Sequence, residues 1–153
     1  DIDLNGTFNT CRAAHPFLRK PGASILSISA SHAFQPVAFK AHVCAGKAGV
    51  DILMKVLALE WGPEGIRANC LTPGPTDDTE GMRRLAPTQE DRQKVLTQVP
   101  LGRYGTKDEL ADLAVFLASD AAGYVTGGIF VCDGGSSLSR SSFGIAEAAR
   151  AQG

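Results

Sequence analysis

Lys47 stands in the run Cys44-Ala45-Gly46-Lys47-Ala48-Gly49, with small residues on both sides. Small neighbours let another group come close. A lysine held in such a place is costly unless its ammonium meets a partner. The run therefore reads either as an anchor for a polar ligand or as a solvated helix lysine. Pro73-Gly74-Pro75 is the second candidate. It makes a rigid turn whose exposed peptide groups suit a flat ligand, although a plain strand-ending turn would read the same. The cysteines Cys11, Cys44, Cys70 and Cys132 form no CxxC pair, and His15, His32 and His42 lack metal-ligand spacing to them. No metal and no disulfide scaffold is expected. The cysteines read as reduced, buried small hydrophobes. No glycine cluster opens a helix after a strand, so a phosphate-cradling dinucleotide loop is missing from these residues.

The elements that must position these groups alternate between helix and strand. Leu4, Phe8, Cys11, Ala14, Phe17 and Leu18 have helical spacing over 3–19, and Pro21-Gly22 stops that helix. Residues 24–29 read as a buried strand and 30–40 as a loop. A long helix is predicted over 41–61, with Val50, Leu53, Met54, Leu57, Ala58 and Trp61 on one apolar face. Residues 66–71 form the next strand, and a polar stretch follows Pro75 to about residue 88. Thr88 and Asp91 cap a short helix near 89–98. Thr106 and Glu109 form a capping box before a further helix. Residues 129–132 are a last strand, closed by Asp133-Gly134-Gly135. After residue 136 come a serine-rich run and an alanine-rich segment that reads as a surface helix. Continuous apolar strands between helices indicate an α/β fold with a parallel sheet of about three strands and right-handed crossovers. Ligands of open α/β sheets bind outside the carboxyl ends of the strands. Loops 29–40, 73–88 and 133–138 are thus the candidate site.

Composition removes several classes. The 153 residues are 44 % hydrophobic and 20 % charged, with a net charge of −1. This is a globular balance, without the basic excess of a nucleic-acid binder. No apolar run approaches the roughly 18 residues of a membrane helix. Residue 1 is Asp, no signal peptide is visible, and the end Ala151-Gln152-Gly153 is no peroxisomal address. The expectation is a cytoplasmic protein of which this chain is a piece.

The runs GTFN, SILSIS, AGKAGV, LALEWGPEGIRANCLTPGP, LGRYGTKDELADLAVFLASDAAGYVTG and DGG, in that order, make the chain resemble the C-terminal half of a short-chain dehydrogenase/reductase. The resemblance spans about residues 1–138, leaving 139–153 as a tail. It implies a Rossmann-like sheet of which the N-terminal, dinucleotide-binding half is absent here. The family's usual working residues are Asn, Ser, Tyr and Lys. Here Asp3, Ala30 and Val43 stand at the first three positions, and Lys47 alone remains. The 2,4-dienoyl-CoA reductases of the peroxisomal type lack that tyrosine, and DIDLNGTFN, EWGPEGIR and PGPTDDTEGMRRL resemble them.

That resemblance implies reduction of a conjugated dienoyl thioester to a 3-enoyl-CoA by NADPH, with NADH not excluded. Asp3 and Lys47 would be catalytic. Lys47 would also hold the nicotinamide ribose, and Asp3 would position a proton-delivering water or simply stabilise a helix start. Ser29, Pro73, Gly74, Pro75, Thr76 and Thr79 would contact cofactor. His32, Arg83 and Arg84 would meet the acyl-CoA, with His32 a second candidate proton donor. A homotetramer is implied, with Met54, Leu57 and Trp61 as candidate interface residues, and this piece alone would be inactive. The alternatives are a 3-oxoacyl carrier-protein type reductase, which the missing tyrosine opposes, and an inactive nucleotide-binding member, which the retained lysine opposes.

Overall fold

The computed structural model describes residues 2–139. Its elements run in the order α1 (Leu4–Ala14), β1 (Ser24–Ile28), α2 (Ala41–Trp61), β2 (Arg67–Pro73), α3 (Glu80–Leu85), α4 (Gln89–Leu96), α5 (Lys107–Ala118), β3 (Ile129–Cys132) and α6 (Ser136–Ser139), with short 3-10 turns between several of them. The strands lie in the order β1-β2-β3. β1 and β2 are parallel, with Ser24 opposite Arg67 and Ile28 opposite Leu71. β2 and β3 run the same way, since Cys70 N–H donates to Gly128 O and Gly74 N–H to Cys132 O, each at 2.9 Å. The expected parallel α/β sheet is therefore present. The alanine-rich tail segment lies outside the described residues.

Two compact units divide the chain. One holds the residues up to Thr72 together with Asp112–Phe130, and the other holds Pro73–Ala111 and the chain from Val131. In the first unit α2 is the central rod. Val50, Met54, Leu57 and Ala58 are buried with Cys11 of α1 and with Ala68 and Cys70 of β2, and Leu53 and Trp61 pack against them. The apolar stripe expected for this helix is the one it buries. Met54 and Leu57 are 1 % and 5 % exposed. Both belong to the core of this chain, which removes them from the candidate interface. The outward stripe of α2 is instead Ile52, Val56 and Leu59. The first helix is shorter than its periodicity suggests, because Pro16 falls in a 3-10 turn that follows Ala14. Phe8 and Phe17, expected on its buried face, are exposed.

The lower end of this unit is held by ionic and ring contacts. His15 Nε2 meets Glu64 Oε1 at 2.9 Å, Lys20 pairs with the same carboxylate, and the His15 ring stacks on Trp61 with centroids 4.4 Å apart. Gly65 ends the turn after α2 with φ +73°, and an added Cβ would stand 2.5 Å from Pro21 Cβ. Only glycine satisfies both the left-handed backbone and that contact.

Arg67, at the start of β2, donates to three carbonyls: Leu117 O at 2.7 Å, Ser119 O at 3.0 Å and Val125 O at 3.3 Å. It ties off the last turn of α5 and the loop after it. Arg67→Ala is expected to lower stability by about 2–3 kcal/mol, read as a shift in the urea midpoint at unchanged slope, because it leaves these carbonyls without a charged donor.

In the second unit the capping box forms as expected. Thr106 N–H donates to Glu109 Oε2 at 2.8 Å, and Glu109 N–H donates back to the Thr106 hydroxyl at 3.2 Å. Arg103 clamps the same carboxylate at 2.5 Å. The guanidinium and the Thr106 amide together hold Glu109 from the usual 4.5 down to about 2. The carboxylate is therefore stabilised in the folded state, and its contribution is complete above about 4.5. It fades as pH falls toward about 2. Melting temperature measured down this window should fall more steeply for the parent than for Glu109→Gln.

Candidate functional site

Lys47 is set by the helix that follows β1. It lies in the second turn of α2, with its side chain 19 % exposed. Its ammonium donates to Ile28 O, the last carbonyl of β1, at 3.1 Å, and pairs with Asp3 Oδ1 at 3.0 Å. The sequence required a partner for this lysine, and two are present. An ammonium has three N–H groups, so one donor remains for a ligand. The small residues beside Lys47 admit α1: a Cβ at Gly46 would stand 3.6 Å from Asp3 Cβ, and one at Gly49 would stand 2.7 Å from Leu4 Cδ2.

Asp3 occupies the N-cap position of α1, yet its side chain makes no capping bond. Thr7 N–H and the Thr7 hydroxyl bond the Asp3 carbonyl instead, at 3.1 and 2.7 Å. Asp3 therefore stands at the helix N-terminus, where a carboxylate meets the positive end of the dipole, but without a capping hydrogen bond. The carboxylate is turned to Lys47, and with the side chain 45 % exposed it also faces water.

Other residues of this unit fall around the carboxyl end of β1. Ser29 N–H donates to Leu71 O at 2.8 Å, but the residue is only 2 % exposed. Its hydroxyl lies in the interior, so a contact from Ser29 to a bound molecule falls to its main chain. Ala30 and Val43 are half-buried. Their side chains carry no proton-transferring group. His32 sits in the 3-10 turn Ser31–Ala33, which packs against α2, and is half-buried.

The second unit carries the loop after β2. A Cβ on Gly74 would stand 2.4 Å from Asp133 Cα, so the two backbones touch and no other residue fits. Gly105 N–H donates to Pro75 O at 3.0 Å, and Asp77 N–H to Gly105 O at 2.9 Å. The Pro-Gly-Pro turn is thus built into the fold at both ends. The Thr76 hydroxyl donates to Gly74 O at 3.0 Å. The Thr79 hydroxyl donates to Thr76 O at 2.9 Å and accepts from Met82 N–H at 3.3 Å. Both hydroxyls therefore shape the loop, and the donor each offered to a ligand is engaged.

Thr79 caps α3, a helix within the stretch after Pro75 that the sequence predicts as polar loop. The signal was present: a Thr N-cap, Glu80 in the first turn, and Arg83 and Arg84 at i+3 and i+4 from it. Arg83 pairs with Asp78 at 3.0 Å and Glu80 at 3.2 Å, and Arg84 with Glu80 at 2.8 Å. Asp78, with φ +50°, also takes Lys107 at 2.6 Å. Its two cations hold its carboxyl below the usual range. Arg92 pairs with Asp77 at 2.7 Å and lies over the Tyr104 ring.

A family model described as enoyl-(acyl carrier protein) reductase, of the short-chain dehydrogenase type, matches residues 1–137. The chain belongs to the short-chain dehydrogenase/reductase family. Within that family it is 48 % identical over 135 residues to a peroxisomal 2,4-dienoyl-CoA reductase, of the (3E)-enoyl-CoA-producing type, from Saccharomyces cerevisiae, covering 88 % of this chain and 46 % of the relative. The corresponding enzyme of Pongo abelii is 44 % identical over 139 residues, with 90 % and 48 % covered. Among solved structures it is similar to a gluconate 5-dehydrogenase from Burkholderia cenocepacia in complex with NADP and tartrate, with a TM-score of 0.83 and 32 % identity, covering 90 % of this chain and 54 % of that one. The chain spans about half the length of the curated relatives it matches. Among the described residues, no helix is long and apolar enough to cross a membrane.

Proposed function

We propose that this chain forms the C-terminal half, residues 1–138, of an oxidoreductase domain that reduces a conjugated 2,4-dienoyl-CoA to a 3-enoyl-CoA with NADPH. The observation that carries the reading is the Lys47–Asp3 pair at 3.0 Å, beside positions where Val43 and Ala30 offer no acid. A ketone reductase needs a proton donor for an alkoxide. Reduction of a conjugated thioester needs a cation near the enolate oxygen and a proton at carbon, and a lysine beside a water-facing carboxylate supplies both. The names of the dienoyl-CoA reductases above support the same substrate.

The residues fit a nicotinamide cofactor, because Lys47 keeps a donor beyond Ile28 O and Asp3. When bound, that cofactor supplies the hydride to the far end of the diene. Lys47 holds the ribose and places positive charge near the thioester oxygen. Asp3 orients a water that delivers the proton to the carbon next to the thioester. Pro73, Gly74, Pro75, Thr76 and Thr79 contribute main-chain groups to the carboxamide, as Ser29 does to the ribose side. His32 lines the acyl chain, and Arg83 and Arg84 exchange Glu80 for CoA phosphates. The exposed α2 stripe of Ile52, Val56 and Leu59 supports association as a homotetramer.

Loss of dienoyl-CoA absorbance in the full-length protein, with NADPH and then NADH, tests the reading against a 3-ketoacyl thioester. Loss on the dienoyl substrate alone is expected. Turnover of the ketoacyl substrate alone would overturn it.

A further inference from the structure

Between α2 and the carboxyl ends of β1 and β2 lies a polar layer inside the first unit. Asp51 is 6 % exposed, Ser29 2 % and Thr72 0 %. One Asp51 carboxylate oxygen, the Ser29 hydroxyl and the Thr72 hydroxyl each lack a hydrogen-bond partner. Register brings them together. Ile28 is opposite Leu71, so Ser29 and Thr72 are opposite each other one residue further on. Thr72 leaves β2 on the same side as Cys70, two residues earlier, and Cys70 is in the core with Val50 and Met54 of α2. Asp51 lies close enough to the Cys70 thiol for its carboxylate to help raise it. Lys47 is four residues before Asp51, on one stripe of α2. Its ammonium bonds the carbonyl of Ile28, the residue before Ser29.

Buried polar groups are almost always satisfied. Three unsatisfied ones on adjacent positions of a single layer call for a small ligand that both donates and accepts. They are too deeply buried to be reached by a large ligand. A carboxylate oxygen accepts, and hydroxyls donate or accept, which is the partner set of an internal water. We propose that Asp51, Ser29 and Thr72 hold an ordered water behind Lys47, and that Asp51 acts through this layer as a positioning residue for the Lys47 ammonium. The second half of the inference rests on Lys47 being the anchor of the site proposed above, and neither half rests on the identity of its substrate.

Charge makes the role specific. Asp51 has no cation within ion-pair distance among the described residues, yet it lies one helical turn from Lys47. Asp3 pairs with that ammonium; the other ionisable groups on the elements packed about this stretch of α2 are His32 in the turn packed on it, Asp51 and Lys55 on α2 itself, and Cys70 of β2. Burial and Asp51 push the Cys70 thiol up to about 12, so it stays neutral. Asp51 thus places a buried carboxyl group one helical turn along α2 from Lys47, whereas Asp3 faces water.

The test uses the full-length protein without substrate or cofactor. A high-resolution crystal structure should show one water bonded to Asp51 and to Ser29 or Thr72; a dry layer overturns the water site. The rate of Lys47 acylation by an amine-directed reagent, read by peptide mass spectrometry across the alkaline range, reports the ammonium. Asp51→Asn is expected to raise that rate about threefold before the plateau, equivalent to about half a pH unit. Asp51→Glu should restore the parent profile. An unchanged profile in a folded Asp51→Asn protein overturns the positioning role. If Asp51→Asn fails to fold, Thr72→Val removes one partner of the water and should give a smaller rise of the same sign, while no rise overturns the role. Failure of the dienoyl-CoA assay would sink the proposed substrate and leave both of these readings standing.

Discussion

Lys47→Ala in the full-length protein is expected to weaken NADPH binding and to cut turnover on a dienoyl-CoA by about 10²-fold or more, a loss of roughly 2.7 kcal/mol. The argument rests on how firmly the side chain is held. Its ammonium bonds Ile28 O and Asp3 and is largely screened from water. A charge fixed in this way needs no reorganisation when negative charge develops on the thioester oxygen, which is the condition under which electrostatic stabilisation is large. The same group anchors the ribose, so binding and rate should fall together. Lys47→Arg tests whether charge alone suffices, because a planar guanidinium cannot reproduce three tetrahedral donors. Cofactor titration paired with steady-state kinetics reads both effects. A Lys47→Ala protein with parental affinity and turnover would remove this residue from the site.

Asp3→Ala is expected to cut turnover by about 10²-fold as well, since proton delivery contributes about 10²–10⁴. From the sequence alone, a carboxylate that only positions a water should leave cofactor affinity unchanged. The 3.0 Å pair with Lys47 alters that expectation. Removing the carboxylate also releases the ammonium, so Asp3→Ala should weaken NADPH binding too. Asp3→Asn keeps a hydrogen-bonding oxygen for Lys47 and should hold affinity near the parental value while turnover still falls. The two sites touch, so their effects should not add: Asp3→Ala combined with Lys47→Ala should lose little more than Lys47→Ala alone. Full turnover in Asp3→Ala would place the proton donor elsewhere, with His32 the next residue to replace.

Much of the fold was legible because its elements carry strong local signals. The α2 stripe from Val50 to Trp61 has clean helical spacing, and the core buries that stripe. The Thr106–Glu109 box is a short-range contact set by spacing alone. What escaped the sequence was of two kinds. Whether an apolar residue packs inward or outward depends on the neighbouring layer, so Met54 and Leu57 read equally well as interface or core, and Phe8 and Phe17 read as buried when they are exposed. Long-range polar partners were the other kind. Asp3 and Lys47 lie 44 positions apart, and nothing in either segment announces the other. Asp51 was invisible for the same reason: on a helical wheel it borders the apolar stripe as any half-exposed aspartate would. The helix α3 was missed despite its cap and its i, i+4 charges, because Pro75 and two aspartates made the segment look like loop.

The strand β1 pairs only with β2 among the described residues, so it is an end strand of the sheet. Its outer row of peptide groups is a binding site in the thermodynamic sense. Any segment that pairs there binds the folded form and not the unfolded one, and so draws the folding equilibrium toward itself in proportion to its own free concentration. The stability of these 153 residues is then a function of what else is in solution. A covalently attached strand is present at a high effective concentration, whereas a separate one must compete with other copies of the same edge.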